Sequence, residues 1–223
     1  MIRGLVTIAL LLAVAACGGS SAPPAASGPT LTARPTGPYT SAAFQPQVTF
    51  ILPDGWLIPG DASAYLQARP VETDLIGLHI FRDVFAASQD PACPITPEPG
   101  VGRTSSEMLA WIRGLPGLTA SAPVMIDVGG LRGVGVDLAI APGWTTSCAF
   151  ANGLPTVPLL TDGAGLRWVV AGSERLRLYL LDVPGGGLVI VDLDAFGGDL
   201  YGDLIDVGVP IVKSIQFATP VQP

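Results

Sequence analysis

Hydrophobic residues in this chain fall mainly into short runs that are separated by Pro and Gly. Runs of β-branched, aliphatic and aromatic residues bounded by such turn formers are typical of β-strands. The run Val48-Thr49-Phe50-Ile51-Leu52, for example, stops at the turn sequence Pro53-Asp54-Gly55. We predict strands over residues 48–52, 65–69, 75–84, 118–128, 131–141, 167–171, 176–182 and 188–194.

Two segments instead repeat with the period of an α-helix. Thr104-Ser105-Ser106-Glu107 fits a capping box, in which Thr104 caps the first turn and Glu107 reaches back to it. The apolar face that follows consists of Met108, Trp111, Ile112 and Leu115. A second helix is predicted after Asp199, its expected N-cap, with an apolar face of Leu200, Leu204, Val207, Ile211 and Ile215. Pro210 removes one hydrogen bond from this helix and is expected to kink or split it.

The order of these elements is three strands, a helix, a run of strands and a final helix. Hairpin-type links, such as residues 184–187 between the last two strands, favour antiparallel pairing. We therefore predict an α+β fold, in which a mainly antiparallel sheet is packed with two helices. No second tract rich in Pro, Gly and Ser divides residues 44–220, so this range is expected to be a single domain.

The first residues have the features of an export signal. Arg3 provides a positive start, and residues 4–16 form an uncharged, mostly apolar run of 13 residues. At ~1.5 Å per residue this run spans ~20 Å, which is less than the ~30 Å hydrocarbon core of a bilayer. We predict that residues 1–16 are a signal peptide rather than a membrane span.

The end of this run, Val14-Ala15-Ala16-Cys17, resembles the lipobox of bacterial lipoproteins. By that resemblance, cleavage after Ala16 leaves Cys17 as the mature N-terminus, with a diacylglyceryl group on its sulfur. Two or three acyl chains make an anchor stable. The chain is therefore expected on the extracytoplasmic face of the cell membrane, held there by lipid. An ordinary secretory signal with an incidental Cys is the alternative.

Residues 17–43 are rich in Pro, Gly, Ser and Ala and nearly lack bulky apolar side chains. Such a segment cannot bury enough surface to offset the entropy of ordering, so we predict a disordered tether after the lipidated Cys17. Its reach is roughly 30 Å as a coil and ~80 Å when extended. The alternative is that part of it packs on the domain as an edge strand.

The two ends of the predicted domain resemble a known family. Phe50-Ile51-Leu52-Pro53-Asp54-Gly55-Trp56 is similar to the opening strand and turn of PsbP-like domains, named for a photosystem II extrinsic subunit. Pro210-Ile211-Val212-Lys213-Ser214-Ile215-Gln216-Phe217 is similar to their last helix and terminal segment. Mycobacterial LpqN-type lipoproteins share that fold and a lipid anchor. The resemblance implies a domain used mostly for binding and docking, and the middle of the chain departs from the family pattern.

Composition and charge exclude several classes of protein. Hydrophobic residues make up 49% of the chain and charged residues 13%, which excludes a disordered acidic chain and a coiled coil. The net charge is −7 and no basic stripe is visible, so no nucleic-acid partner is expected. One His and three Cys exclude a metal site built from several residues of either type. We expect no cofactor.

Cys93 and Cys148 lie in segments rich in Pro, Gly and polar residues, and they are the only thiols left once Cys17 is lipidated. Outside the cytoplasm an even pair of this kind indicates a disulfide. A redox-active pair is the alternative, but such pairs usually have the close spacing of Cys-x-x-Cys.

Candidate catalytic residues are few. His79 is the only possible base for a hydrolytic triad, and it lies within a predicted strand, where a hydrogen-bonded structural role is the simpler interpretation. The carboxylates of Asp54, Asp192 and Asp194 support the alternative of a carboxylate-dependent hydrolase, provided that two of them meet in a cleft. Residues 192–199 also have some features of a calcium loop, but lack its ligands at positions 5 and 12.

Two loops could hold ligands. Residues 100–105 open the first helix and could bind an anion, although helix capping is the simpler explanation. The predicted loop 142–165 carries Trp144 and Phe150, which could line a ligand groove near Cys148 or could form a local core.

Taken together, these features predict a membrane-anchored extracytoplasmic lipoprotein that acts as a non-enzymatic binding module. Its expected partners are the membrane, through the lipid, and an envelope protein or a small apolar ligand, through the domain. The alternatives are an extracytoplasmic hydrolase and a purely structural envelope component.

Overall fold

The computed structural model describes residues 33–218. Two α-helices and fourteen strands make up this part of the chain. The helices are α1 Ser105–Gly114 and α2 Gly198–Ser214. The strands are β1 Gly37–Thr40, β2 Val48–Leu52, β3 Trp56–Ala62, β4 Tyr65–Pro70, β5 Ile76–Arg82, β6 Phe85–Ala86, β7 Leu118–Ala120, β8 Val124–Val128, β9 Leu131–Ile140, β10 Thr156–Thr161, β11 Leu166–Ala171, β12 Glu174–Asp182, β13 Leu188–Phe196 and β14 Gln216–Phe217.

A long antiparallel sheet forms the centre of the fold. Its strand order is β3-β4-β5-β13-β12-β9-β7, with β8 pairing the other half of β9. Two small antiparallel sheets, β1-β2-β14 and β11-β10-β6, accompany it. The predicted α+β class, with a mainly antiparallel sheet and two helices, is confirmed.

The central sheet separates two hydrophobic cores. One core lies between the sheet, α2 and the β1-β2-β14 sheet, and the other lies between the sheet, α1 and the β11-β10-β6 sheet. On β13 this produces strict alternation, because Val189, Val191 and Leu193 enter the first core while Leu188 and Ile190 enter the second. We call these the α2 core and the α1 core.

Helix α2 approaches β13 closely at one glycine. A Cβ atom added to Gly208 would lie 2.8 Å from Cδ2 of Leu193, a distance that real Cβ contacts do not adopt. The absence of a side chain at residue 208 therefore allows the helix to pack on the sheet without displacing Leu193.

Helix α1 begins as the sequence predicts. The Thr104 hydroxyl accepts a hydrogen bond from the Glu107 N–H, and the Glu107 carboxylate accepts one from the Thr104 N–H. The predicted capping box is confirmed. Met108 and Ile112 are buried in the α1 core, so the predicted apolar face is the buried face.

The N-cap predicted for α2 was wrong, because Gly197 caps the helix and Asp199 lies inside the first turn. Pro210 does not split the helix, which runs from Gly198 to Ser214 with Pro210 inside it. The carbonyl that loses its partner belongs to Asp206, which is exposed, so water can satisfy it.

The predicted boundary between tether and domain is also wrong. Residues 37–40 form β1, which pairs along β2, and the Tyr39 ring is buried in the α2 core. Behind this strand, the Asp61 carboxylate accepts hydrogen bonds from Tyr39 Oη and from the N–H groups of Ala42, Ala43 and Phe44. These bonds hold in place a segment whose composition alone favours disorder. The signal peptide and residues 17–32 lie outside the described residues.

Strands β3 and β10 were not predicted. Pro59 and Gly60 lie within β3 and depress its strand propensity, and the strand is tolerated at the sheet edge with a register shift between Leu57 and Gly60. Strand β10 falls inside residues 142–165, which were predicted as one loop. In addition, the strand predicted over 118–128 is divided into β7 and β8.

Candidate functional site

A groove opens between β2 and α2, on the α2-core side of the sheet. Strand β14 pairs with β2 only at Thr49 and Val48, and the chain that precedes β14 belongs to α2. Next to this pairing, the Oγ of Ser214 at the end of α2 accepts a hydrogen bond from the Ile51 N–H at 2.9 Å. Beyond this point the edge of β2 faces a helix instead of a strand, and a groove of about 620 Å³ remains.

The floor of this groove is apolar. Its lining includes Ile51, Leu52, Pro53, Val207, Pro210 and Ile211. Ile51 is the outward-facing member of a strand whose alternate residues Val48, Phe50 and Leu52 fill the α2 core. Its side chain is 53% exposed, which is high for an isoleucine in the middle of a strand.

The rim of the groove on the helix side is acidic. Asp203 and Asp206 line the groove and are exposed, and neither forms an ion pair within residues 33–218. The single cation of α2, Lys213, lines a different cavity beside β8. The groove therefore combines an apolar floor with two uncompensated negative charges.

A polar cluster lies on the other face of the sheet, inside the α1 core. Asp192 and Asp194 are two residues apart on β13, so both side chains point to this face. His79 on β5 pairs with Asp192 across the strands, and its Nε2 lies 3.0 Å from Oδ1 of Asp194. The contact is close but lacks hydrogen-bond alignment. On its other side, His79 Nδ1 shares a 2.9 Å hydrogen bond with Tyr65 Oη.

Burial determines the charge of this cluster. Asp192 is 0% exposed and neither of its carboxylate oxygens has a hydrogen-bond partner within residues 33–218. Burial, reinforced by the carboxylates of Asp194 and Glu174, raises the pKa of Asp192 well above its usual range. Burial likewise raises the pKa of Glu174 to about 8, against an opposing hydrogen bond from the Ala171 N–H. Burial therefore favours the protonated, neutral form of both Asp192 and Glu174.

The cluster brings together His79, Asp192 and Asp194, three candidate residues from the sequence. It is buried, however, and does not form a cleft. Asp194 is 7% exposed, and the His79 ring packs with its centroid 4.4 Å from that of Trp168 on β11. Asp54 lies far along the chain in an exposed turn between β2 and β3. A catalytic carboxylate pair must be able to reach its substrate. Asp192 and Asp194 cannot do so, because the β11-β10-β6 sheet covers them. His79 has the hydrogen-bonded role in a strand that the sequence favoured.

Cys93 and Cys148, the pair expected to form a disulfide, are joined by one, with Cα atoms 5.7 Å apart. Trp144 lies beside this bond and lines a cavity of about 140 Å³, donating from Nε1 to the Thr156 carbonyl. Phe150 does not share this cavity and is 58% exposed. Trp144 and Phe150, which could have lined one ligand groove, are therefore not brought together. The predicted lipid attachment at Cys17 and cleavage after Ala16 lie outside the described residues.

The N-terminus of α1, the other candidate ligand site, is filled by the chain itself. The Glu107 carboxylate accepts the Thr104 N–H at 3.1 Å. The Asp182 carboxylate accepts the Ser105 N–H at 2.7 Å and the Ser105 hydroxyl at 2.6 Å. These carboxylates occupy the position that an external anion would need.

Neither the groove nor the role of Glu174 was predicted from the sequence. One signal for the groove was present, because Ile51 is an apolar residue at a position where strand alternation predicts a polar one. Glu174 carries no such signal, since nothing in Gly172-Ser173-Glu174 distinguishes a buried carboxyl from an ordinary turn residue.

Comparisons with known proteins give likenesses of fold. No protein-family model matches the chain, and no curated protein matches it. The structure is similar to cyanobacterial PsbP (CyanoP) from Synechocystis over 92% of this chain and 99% of that one, with 11% identity and a TM-score of 0.43. It is also similar to LpqN of Mycobacterium tuberculosis, which is involved in cell envelope biogenesis. This similarity covers 85% of this chain and 91% of LpqN, with 15% identity and a TM-score of 0.41.

A protein from Bacteroides thetaiotaomicron is similar over 78% of this chain and 46% of its own, with 7% identity and a TM-score of 0.37. CyanoP and LpqN belong to the two groups named in the sequence resemblance. Neither helix within residues 33–218 has the length and apolar character needed to cross a membrane.

Proposed function

We propose that this protein is a lipid-tethered, extracytoplasmic binding module, non-enzymatic, and that its binding site is the groove between β2 and α2. The observation that carries this proposal is the groove itself, a volume of about 620 Å³ with an apolar floor and an exposed isoleucine. This volume lies within the range of sites that bind small molecules.

The predicted anchor supports a position of this groove near a membrane. The lipobox-like sequence ending at Cys17 would supply the lipid, and Thr36, which lines the groove, follows only 19 residues later. The site would therefore face partners that are embedded in or attached to the same membrane. The buried carboxylates argue against the hydrolase alternative, because Asp192 and Asp194 contact no open cleft.

Site-specific photocrosslinking tests the proposal in cells. The full-length chain would carry p-benzoylphenylalanine at residue 51 or, as a matched exposed apolar control, at residue 150. We expect a discrete lipid or protein adduct from position 51 in the membrane fraction, which is lost when Val207→Asp places a charge on the groove floor. Position 150 should give no adduct of the same mass.

The anchor is tested separately with Cys17→Ser, which should move the protein out of the membrane fraction and abolish the adduct. Equal adducts from positions 51 and 150, or an adduct that survives Val207→Asp, would contradict the assignment of the groove. Unchanged membrane fractionation of Cys17→Ser would contradict the anchor.

A further inference from the structure

The charge of the groove rim restricts what the groove can bind. Asp203 and Asp206 are three residues apart on α2, so they project from the same side of the helix along one edge of the groove. Both are exposed and neither is paired within the part of the chain that the structure describes. A bound molecule must therefore place its apolar part beside two carboxylates.

These carboxylates disfavour the commonest apolar ligands of a membrane surface. A fatty acid or an anionic phospholipid would bring a negative group toward Asp203 and Asp206. Like charges at contact distance repel, and the repulsion is stronger at the effective dielectric of a protein surface than in bulk water. The same interaction has the opposite sign for an ammonium or guanidinium group, so the rim favours a cation.

Once the proposed signal peptide with Arg3 is removed, the segments that flank the domain do not supply such a cation. Residues 18–32 and 219–223 contain no Lys or Arg, although both flank the domain. A second copy is also a poor partner, because the chain has a net charge of −7 and its mature form is near −8. The occupant must therefore come from a different molecule.

We infer that the groove binds a segment of a partner protein that places apolar side chains against Ile51 and Val207 and a Lys or Arg side chain against Asp203 and Asp206. This inference rests on the proposed function and adds the chemistry of the partner. The apolar contacts supply affinity, and the ion pairs fix the direction in which the segment lies.

Synthetic peptides test the charge requirement directly. The lipidated full-length chain would be held in nanodiscs of phosphatidylcholine, with empty nanodiscs as the blank. The probes are three fluorescein-labelled twelve-residue peptides, built from Leu and Lys, from Leu and Glu, and from Ser and Lys. Fluorescence anisotropy should show the Leu–Lys peptide binding at least tenfold more tightly than either of the others.

Variants of the rim give the matched comparison. Asp203→Asn combined with Asp206→Asn should weaken Leu–Lys binding about tenfold and flatten its dependence on salt. Asp74→Asn combined with Asp199→Asn removes the same number of charges from exposed positions outside the groove lining and should change the affinity less than twofold. Ile51→Asp should abolish binding, and urea unfolding would verify that each variant is folded.

The outcomes separate this inference from the proposed function. If the Leu–Glu peptide binds as tightly as Leu–Lys and Ile51→Asp abolishes both, the groove binds apolar groups and the cationic partner is wrong. The inference is equally wrong if the rim variant binds Leu–Lys as tightly as the unaltered chain does. If no peptide binds and position 51 gives no crosslink in cells, both proposals are wrong.

Discussion

His79 Nε2 lies 3.0 Å from Asp194 Oδ1, inside a hydrophobic core and on neighbouring antiparallel strands. The imidazole also shares a hydrogen bond with Tyr65 Oη, so one ring is bonded to β4 and lies against a carboxylate of β13. Because this cluster and the groove lie on opposite faces of the central sheet, the two can be altered independently.

His79→Phe should destabilise the fold without affecting the groove. The change leaves the Tyr65 hydroxyl without its hydrogen-bond partner and removes the imidazole that lies beside Asp194, and an unsatisfied buried group costs about 1–3 kcal/mol. Tyr65→Phe removes only the hydrogen bond between Tyr65 Oη and His79 Nδ1, and it should lower the free energy of unfolding by about 1 kcal/mol. Urea unfolding measures both values, and peptide binding to His79→Phe should equal that of the unaltered chain. A stability loss below about 0.5 kcal/mol would show that the cluster contributes little.

Glu174 should make the protein less stable as the pH rises. Its pKa is raised from 4.5, the ordinary value of a glutamate, to about 8 in the folded chain. Between these values the folded chain holds a proton that the unfolded chain has released, so unfolding becomes more favourable by up to about 1.4 kcal/mol per pH unit. Asp192 contributes in the same direction, because its pKa is raised too.

Glu174→Gln removes this titration while keeping an oxygen that can accept the Ala171 N–H. The variant should be more stable than the unaltered chain at pH 8 and similar to it at pH 4.5, as measured by urea unfolding across the range. Glu72→Gln, at an exposed position, serves as the control and should leave the slope of the unfolding free energy against pH unchanged. If Glu174→Gln also has the slope of the unaltered chain, the assignment of a protonated buried carboxyl is refuted.

The disulfide between Cys93 and Cys148 should contribute substantially to stability. It closes a loop with a sequence separation of 55 residues, for which the chain-entropy model gives about 4 kcal/mol. Cys93→Ser combined with Cys148→Ser should lower the urea midpoint, and a reducing agent should produce the same shift in the unaltered chain only.

Thiol labelling of the denatured, unreduced chain distinguishes the states of all three cysteines. A lipidated and crosslinked chain should label at no thiol, because Cys17 is acylated and the other two are joined. One labelled thiol would indicate an unmodified Cys17, and two would indicate that the disulfide is absent.

Gly208→Val should destabilise the fold by about 1–3 kcal/mol through overpacking, because an added Cβ would lie 2.8 Å from Leu193 Cδ2. Gly202→Val makes the same change in the same helix, where an added Cβ meets nothing within 4 Å. This control should be neutral or slightly stabilising, since Val is a better helix former than Gly. Equal urea midpoints for the two variants would show that α2 can move away from β13.

The sequence predicted those elements whose local signals agree with their tertiary setting. The α1 capping box is local chemistry, and Val48–Leu52 has both strand propensity and a turn sequence after it. Helix α2 was found by its apolar period, but its N-terminus was misplaced because Gly197 is a less distinctive cap than Asp199.

The errors have a common physical origin in long-range contacts. Strand β1 is held by the side chain of Asp61, and β10 by pairing with β6 and β11, and neither relationship is visible in the local sequence. The groove could not be predicted for the same reason. It exists because β14 pairs with only two residues of β2, and the chain before β14 is helix α2, which meets β2 at Ile51. The polar cluster depends on the register of β5 and β13, which brings His79 beside Asp192.

The position of Thr36 at the mouth of the groove has a further consequence for a lipidated chain. Thr36 is the nineteenth residue after Cys17, so the site cannot lie more than about 65 Å from the acyl chains. Confinement to a layer of this thickness raises the concentration of a partner anchored in the same leaflet above the value that it would have if both proteins were free in solution. An interaction that is weak in solution would therefore be occupied more often at the membrane.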